Sequence, residues 1–458
     1  MPTAPLAPAS APASYRLSRA VTARVETWDG RGVLRVEVPD RPADPLRWLA
    51  GQDAGTRTYW RGRGDAEARA GLGVALQVDA PSLAGADLAR VLAALPPSAR
   101  LTATGRFDTA AESGREWEAF GAVRFALPRV EYRSDGRSAW LAVHLVPGET
   151  AATARRALAA LRPANDRPAG PLPLPFMRRD DPDRADWGRM LRWAFGAFEA
   201  GALDKVVLAR RARFLFETGV DAFDLAERLE AATPRCYHAL VAPRADLAFL
   251  TATPERLLRL DGRTLRTEAV AGTRPRSEAD ADDDRLRDEL LASEKDQREH
   301  GYVRRAIEAA LAPLAEAVTA DDRASAMTLA RGRHLRTGIE ATLRPCVGAL
   351  DVLRALHPTP AVGGTPTSGA LDTIDRLEPF DRGLYAGPVG WVGRDDEGHE
   401  AADLAVGIRS GLVDGRSLSL YSGAGIVDGS DPDAEWAEIE HKIGDFARVL
   451  GLSVRTEA

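Results

Sequence analysis

The chain has 458 residues, 45% apolar and 28% charged, with a net charge of −6. This is a globular composition with material for a large core; at about 150 residues per domain it suggests about three domains, or fewer large ones. So small a charge leaves no electrostatic footprint for nucleic acid, and no run approaches the ~18 uninterrupted apolar residues of a membrane span. Met1 to Ser14 is Ala/Pro-rich and uncharged, lacks the features of a signal peptide, and reads as a disordered tail. The two cysteines, Cys236 and Cys346, argue against a disulfide framework and fit a reducing cytoplasm.

In chain order, Gly32 to Val38 alternates like a half-buried strand, and Asp87 to Leu95 has helical spacing ended by Pro96-Pro97. Strand patterns follow at Ala122–Leu127, Val130–Tyr132 and Trp140–Val146, with Asp135-Gly136 marking a hairpin between the last two. Residues 15–162 thus form an N-terminal strand-rich part. The segment 163–182, rich in Pro, Asn, Asp and Gly, reads as a connector into the region 183–458. Asp183 to Gly201 is helical, Lys205 to Phe216 a strand, and Leu247–Ala252, Leu257–Leu260 and Thr264–Val270 further strands. Asp283 to Leu314 reads as one long helix; Gly387–Val392, Asp403–Ile408 and Ser417–Tyr421 read as an antiparallel meander. A last helix, about Asp433 to Gly451, opens with an Asp N-cap. Hairpin-linked strands interspersed with helices predict an α+β fold of antiparallel sheets, not a doubly wound parallel sheet.

Lysine occurs three times, at Lys205, Lys295 and Lys442; every other basic residue is arginine. A chain that uses Arg wherever a generic positive charge will do makes its lysines candidates for giving up a proton, which a guanidinium cannot do. Several familiar signatures are absent. Gly423-x-Gly425 lacks a third glycine, Gly363 to Gly369 lacks the Lys-Ser/Thr of a phosphate loop, and Asp280 to Asp284 lacks calcium-loop spacing and reads as a solvated approach to a helix.

Two acidic pairs survive this sifting. Asp296 and Glu299 are i,i+3 neighbours, as are Glu435 and Glu438, with Lys442 one turn further on the same side. Facing each other, such pairs would suit Mg²⁺, which takes one or two carboxylates and leaves room for an anionic substrate; spacing alone favours solvated helix faces, since acidic i,i+3 pairs are common. Lys205, heading an apolar strand, is either a desolvated general base or a charge blunting a sheet edge. Glu255, after Thr253-Pro254, is either aimed into a cleft or an exposed turn carboxylate. Gly272 and Gly423 offer backbone N–H groups to an anion, or are ordinary turn glycines.

Taken in order, a set of motifs resembles the chorismate-utilising enzyme family, and within it the isochorismate synthases. The motifs are Lys205 to Arg210, Thr253-Pro254-Glu255-Arg256-Leu257, Ala271-Gly272-Thr273, Ser293-Glu294-Lys295-Asp296 with Glu299-His300, His334 to Thr337, His357 to Ala361, Leu377 to Arg382, Gly387 to Trp391, Ile408-Arg409, Ser422 to Val427 and Glu435-Trp436-x-x-Glu438. The likeness covers roughly Asp204 to the C-terminus. It implies an α+β fold with large antiparallel sheets, surrounding helices and a central cleft in a catalytic region spanning 183–458. It also implies conversion of chorismate and water to isochorismate: Lys205 matches the base that activates water, and Glu255 the acid that protonates the departing C4 hydroxyl. Glu299 and Glu438 match Mg²⁺ ligands, with Asp296 and Glu435 beside them. Gly272, Thr273, Arg409 and Gly423 match substrate-holding positions; His334, Thr337 and Lys442 match the site wall.

Ala361 matches the alanine of the water-using members, where ammonia-using relatives carry Thr, so no glutamine amidotransferase partner is expected. Ala361, Val362 and Tyr385 lie where the pyruvate-releasing step of salicylate synthases is influenced, which makes that activity the alternative. A catalytically silent chorismate-binding protein is the other. The expected setting is a cytoplasmic monomer without nucleic-acid or membrane partners, supplying menaquinone or siderophore synthesis.

Overall fold

The computed structural model describes residues 11–452 apart from 54, 112, 163–169, 171, 277–279, 330 and 331. Every strand pairing is antiparallel. The strands join into one branched sheet. Leu34–Asp40 pairs with Ala139–Leu145, which pairs with the long strand Val123–Ser134. From there one branch runs through Ala68–Ala80, Arg57–Arg61, Tyr237–Arg244, Leu247–Thr253, Ser410–Asp414 and Ser417–Val427 to Lys205–Leu215. The other runs through Arg100–Gly105, Pro388–Arg394, Glu400–Val406, Arg256–Asp261 and Thr264–Pro275 to Gly332–Leu343. This is the α+β architecture expected, with each branch passing once from N-terminal to C-terminal strands.

Two chain crossings between the branches shape the centre of the molecule. Residues 254–255 carry the chain from Leu247–Thr253 to Arg256–Asp261, and residues 407–409 carry it from Glu400–Val406 to Ser410–Asp414. The crossings are tied together: the Val406 N–H donates to the Glu255 carbonyl at 3.1 Å, and the Thr251 hydroxyl donates to the Ile408 carbonyl at 2.6 Å. Arg409 sits at φ +49°, a left-handed conformation that costs a non-glycine residue free energy and is held only where the surroundings enforce it.

Several sequence expectations need correction. The helix Ala13–Thr27 begins inside the expected tail, and residues 1–10 lie outside the described residues. The connector contains a strand, Met177–Asp181, paired with Lys205–Leu215. The long helix is two, Asp280–Ala292 and Glu294–Leu311, because Ser293 leaves the helical region and its hydroxyl caps the second by accepting from the Asp296 N–H at 3.3 Å. The acidic run forms the first turn of the former helix; Asp283 is buried there against Arg333 at 2.6 Å. The C-terminal strands are two hairpins, not a meander, since Glu400–Val406 and Ser410–Asp414 pair with different branches.

The final helix spans Pro432–Val449, and its N-cap Asp431 accepts from the Ala434 N–H at 2.8 Å. It packs on Arg184–Glu199 through Trp436 and the fully buried Trp187. Cys236 is buried and Cys346 exposed, both free. Among the described residues no helix is long and apolar enough to cross a membrane.

Candidate active site

The two crossings, the bulged strand Thr264–Pro275 and the helices Glu294–Leu311 and Pro432–Val449 converge on a cavity of about 180 Å³. It is lined by Glu255, Gly272, Thr273, Asp296, Glu299, His334, Ala361, Tyr385, Arg409, Gly423, Glu435, Glu438 and Lys442 from the sequence set. The remaining two stand one layer back. Lys205 is fully buried with its Nζ 2.9 Å from the Glu299 carboxylate, which faces the cavity. Thr337 forms no part of the wall, contrary to expectation; its hydroxyl meets His300 Nε2 at 2.8 Å behind it.

Lys205 is not an edge charge. Its strand is paired on both sides, Lys205 opposite Val427 and Thr365. Glu255 is not an exposed turn carboxylate either. The crossing buries it; that burial, reinforced by the Glu268 carboxylate and opposed by Lys205 and Arg63, pushes Glu255 up to about 8. A carboxylic acid that keeps its proton at neutral pH is suited to donate it.

The four candidate metal carboxylates each hold a cation. Glu299 pairs with Lys205, Asp296 with Arg274 at 2.8 Å, Glu435 with Lys295 at 2.8 Å and Glu438 with Lys442 at 2.6 Å. Burial alone would raise Glu438, but Lys442 and Lys295 outweigh it and hold that carboxyl below its ordinary range. Glu435 is raised by burial, with Glu438 adding to the effect. Among the described residues no three His, Cys, Asp or Glu side chains form a ready metal cage.

Glycines make room where the sequence expected anions to approach. Gly272, at φ +70°, occupies a bulge between Ala271, opposite Leu335, and Thr273, opposite His334. A Cβ there would sit 3.1 Å from Asp296, and one at Gly423 3.0 Å from the Tyr385 hydroxyl. His334 Nδ1 lies 3.1 Å from the Gly272 carbonyl, which assigns the proton to Nδ1; burial, then Arg409 and Lys442, push the ring down to about 3. Neutral His334 therefore presents Nε2 as an acceptor with no partner among the described residues.

Sequence reasoning missed Arg274, whose signal is its place just beyond Gly272, and assigned Lys295 no role, although it bridges the two acidic helices. All three lysines belong to the site. Glu268, buried beneath Glu255, and Arg63 beside it had no local signal.

The chain matches the chorismate binding enzyme family model over residues 20–451. It is 38% identical to the salicylate biosynthesis isochorismate synthase of Pseudomonas aeruginosa, over 78% of this chain and 75% of that protein. It is 32% identical to isochorismate synthase MenF of Escherichia coli, over 95% of this chain and 97% of that protein. The solved structure of the menaquinone-specific isochorismate synthase from Escherichia coli aligns with a TM-score of 0.83 at 30% identity, covering 95% of this chain and 99% of that one. With its motifs brought to one cavity in that fold, the chain belongs to the chorismate binding enzyme family.

Proposed function

We propose that this protein is an isochorismate synthase, and the observation that carries the reading is the buried Glu255 carboxyl facing the cavity that Lys205 borders through Glu299. In this reading Lys205 acts as the neutral amine, not in the ammonium form that pairs with Glu299, and takes a proton from water as its oxygen bonds to C2 of chorismate. The ring double bonds shift, the C4–O bond breaks, and Glu255 gives its proton to the departing hydroxyl, which leaves as water. Return of the proton from Lys205 to Glu255 through solvent restores both groups, so the reaction is a net isomerisation. Arg409 and Lys442 supply positive charge for the substrate carboxylates, and the backbone near Gly272 and Gly423 allows close approach. His334 Nε2 accepts a hydrogen bond from substrate or water.

Magnesium fits this donor set. Glu299 and Glu438 are hard-oxygen ligands, with Asp296 and Glu435 adjacent, and one or two carboxylates suffice for Mg²⁺. When bound, it would neutralise carboxylate charge on the dianionic substrate. For the pathway we favour menaquinone, because the likeness to the Escherichia coli relative runs almost the whole length of both chains. The exposed free Cys346 fits a cytoplasmic setting.

The test is chromatography of chorismate incubated with the purified protein and Mg²⁺. Isochorismate as the product, lost on adding EDTA and restored by excess Mg²⁺, is the expected result. Salicylate with pyruvate would assign the pyruvate-releasing reaction instead, and tight chorismate binding without turnover would make the chain a silent binder.

A further inference from the structure

The residues on either side of Glu255 are fastened by one ion pair from distant parts of the chain. Arg63 lies in the turn between the strands Arg57–Arg61 and Ala68–Ala80, in the N-terminal part. One arm of its guanidinium donates to the Pro254 carbonyl and the other to Glu268 Oε2 at 2.7 Å. Glu268 Oε1 accepts from the Arg256 N–H at 3.0 Å, so Pro254 and Arg256 are both held. Arg336 Nε adds a second cation, 2.7 Å from Glu268 Oε2. Glu268 is wholly buried and Arg63 partly so, and the Arg63 guanidinium also lies over the Tyr237 ring at 5.4 Å. Neither pairing is needed to close a strand ladder. Together they fix the Pro254–Glu255 crossing, whose two-residue length gives Glu255 no helix or sheet register of its own.

We propose that Arg63 and Glu268 form a positioning clamp that holds Glu255 at the angle required for proton donation, an inference that rests on Glu255 being the general acid. The clamp also has an electrical consequence. Glu268 is kept ionised, below the ordinary carboxylate range, because Arg63 and Arg336 overcome its burial. Its fixed negative charge in turn favours the neutral acid at Glu255, where Lys205 and Arg63 pull the other way and Tyr385 stands nearby. The N-terminal part therefore contributes to catalysis without touching substrate. Arg63 is a positioning residue.

The experiment compares pH–rate profiles of the Mg²⁺-loaded protein with those of Glu268→Gln, Arg63→Met and Arg63→Lys. Glu268→Gln keeps an acceptor for the Arg256 N–H and removes only the charge. The limb on which activity falls as Glu255 ionises should move to lower pH by about one unit, which is about a fivefold loss of kcat at pH 8 and less than about twofold at pH 6.5. Arg63→Met should lower kcat about tenfold or more with KM changed less than about twofold, and Arg63→Lys should recover part of that loss. A merely structural clamp would lower the folded fraction and leave the limb in place. An unmoved limb in Glu268→Gln, or unchanged kcat in folded Arg63→Met, overturns the proposal. Should Glu268→Gln not fold, the Arg63 pair decides. Glu255→Gln is run in parallel: full activity there would remove the acid assignment itself, whereas an inactive Glu255→Gln with an unmoved limb in Glu268→Gln would remove only the clamp.

Discussion

Replacing Lys205 by methionine should separate what the lysine does for catalysis from what it does for the fold. Its ammonium is fully buried and 2.9 Å from the Glu299 carboxylate, a separation worth about 6 kcal/mol of attraction at an effective dielectric of 20. Against that stands a desolvation cost of several kcal/mol per buried ion, so the pair is close to neutral for stability. Methionine has nearly the same length and fills the same space between Val427 and Thr365 without a charge. Glu299, freed of its partner, opens onto the cavity and can be hydrated there. Because that hydration spares part of the ~3–5 kcal/mol that removing one partner of a fully buried pair costs, Lys205→Met should lower stability by less than about 3 kcal/mol. Loss of the general base should lower kcat by about 10²–10⁴. Urea unfolding followed by tryptophan fluorescence gives the first quantity, and chromatographic assay of isochorismate the second. A folded variant turning over within about tenfold of the parent would refute the base assignment. A loss of more than about 3 kcal/mol in stability would refute the claim that the lysine is retained for chemistry and not for folding.

Three further outcomes follow from the same geometry. Since Glu255 must be protonated to act and sits at about 8, the alkaline limb of activity should fall as pH rises above that value. Glu255→Gln, which cannot donate an acid proton, should lose about 10²–10⁴ in kcat along with that limb, as a pH series of initial rates would show. The Gly425→Ala methyl would collide with Glu299 Oε1 and come 3.1 Å from Lys205 Cε. It should lower kcat/KM by about 10²-fold and raise the Mg²⁺ concentration needed for half activity about tenfold, with little change in Tm, because the displaced group is the end of a flexible side chain. Titration of activity against Mg²⁺ checks this.

The sequence by itself determined the chemistry-bearing residues. Three lysines in an arginine-rich chain marked candidates, and the ordered motifs singled out i,i+3 acidic pairs that spacing alone assigns to solvent; the structure gathers these groups around one cavity. Helical spacing is local, so the shared face of Glu435, Glu438 and Lys442 was legible without knowing the fold. The antiparallel α+β class was legible too, from hairpins between neighbouring strands. The break at Ser293 was written as an N-cap but masked by the helix-forming run Glu294-Lys295-Asp296-Gln297-Arg298-Glu299 that follows it.

Other decisions belonged to the tertiary structure. Alternation within a strand says which residues face the core and nothing about which strand lies alongside. That is why the C-terminal hairpins were read as a meander, although their neighbours are Arg256–Asp261 and Leu247–Thr253. The same pairings create the two crossings that bury Glu255, bend Arg409 into a left-handed conformation and bring Arg63 from the N-terminal part to the Pro254 carbonyl. Whether a carboxylate after a turn is solvated or desolvated depends on what packs over it, and here the covering groups come from residues far away in the chain. The acid strength of Glu255 is therefore a property of the fold, while its presence at that position is a property of the sequence.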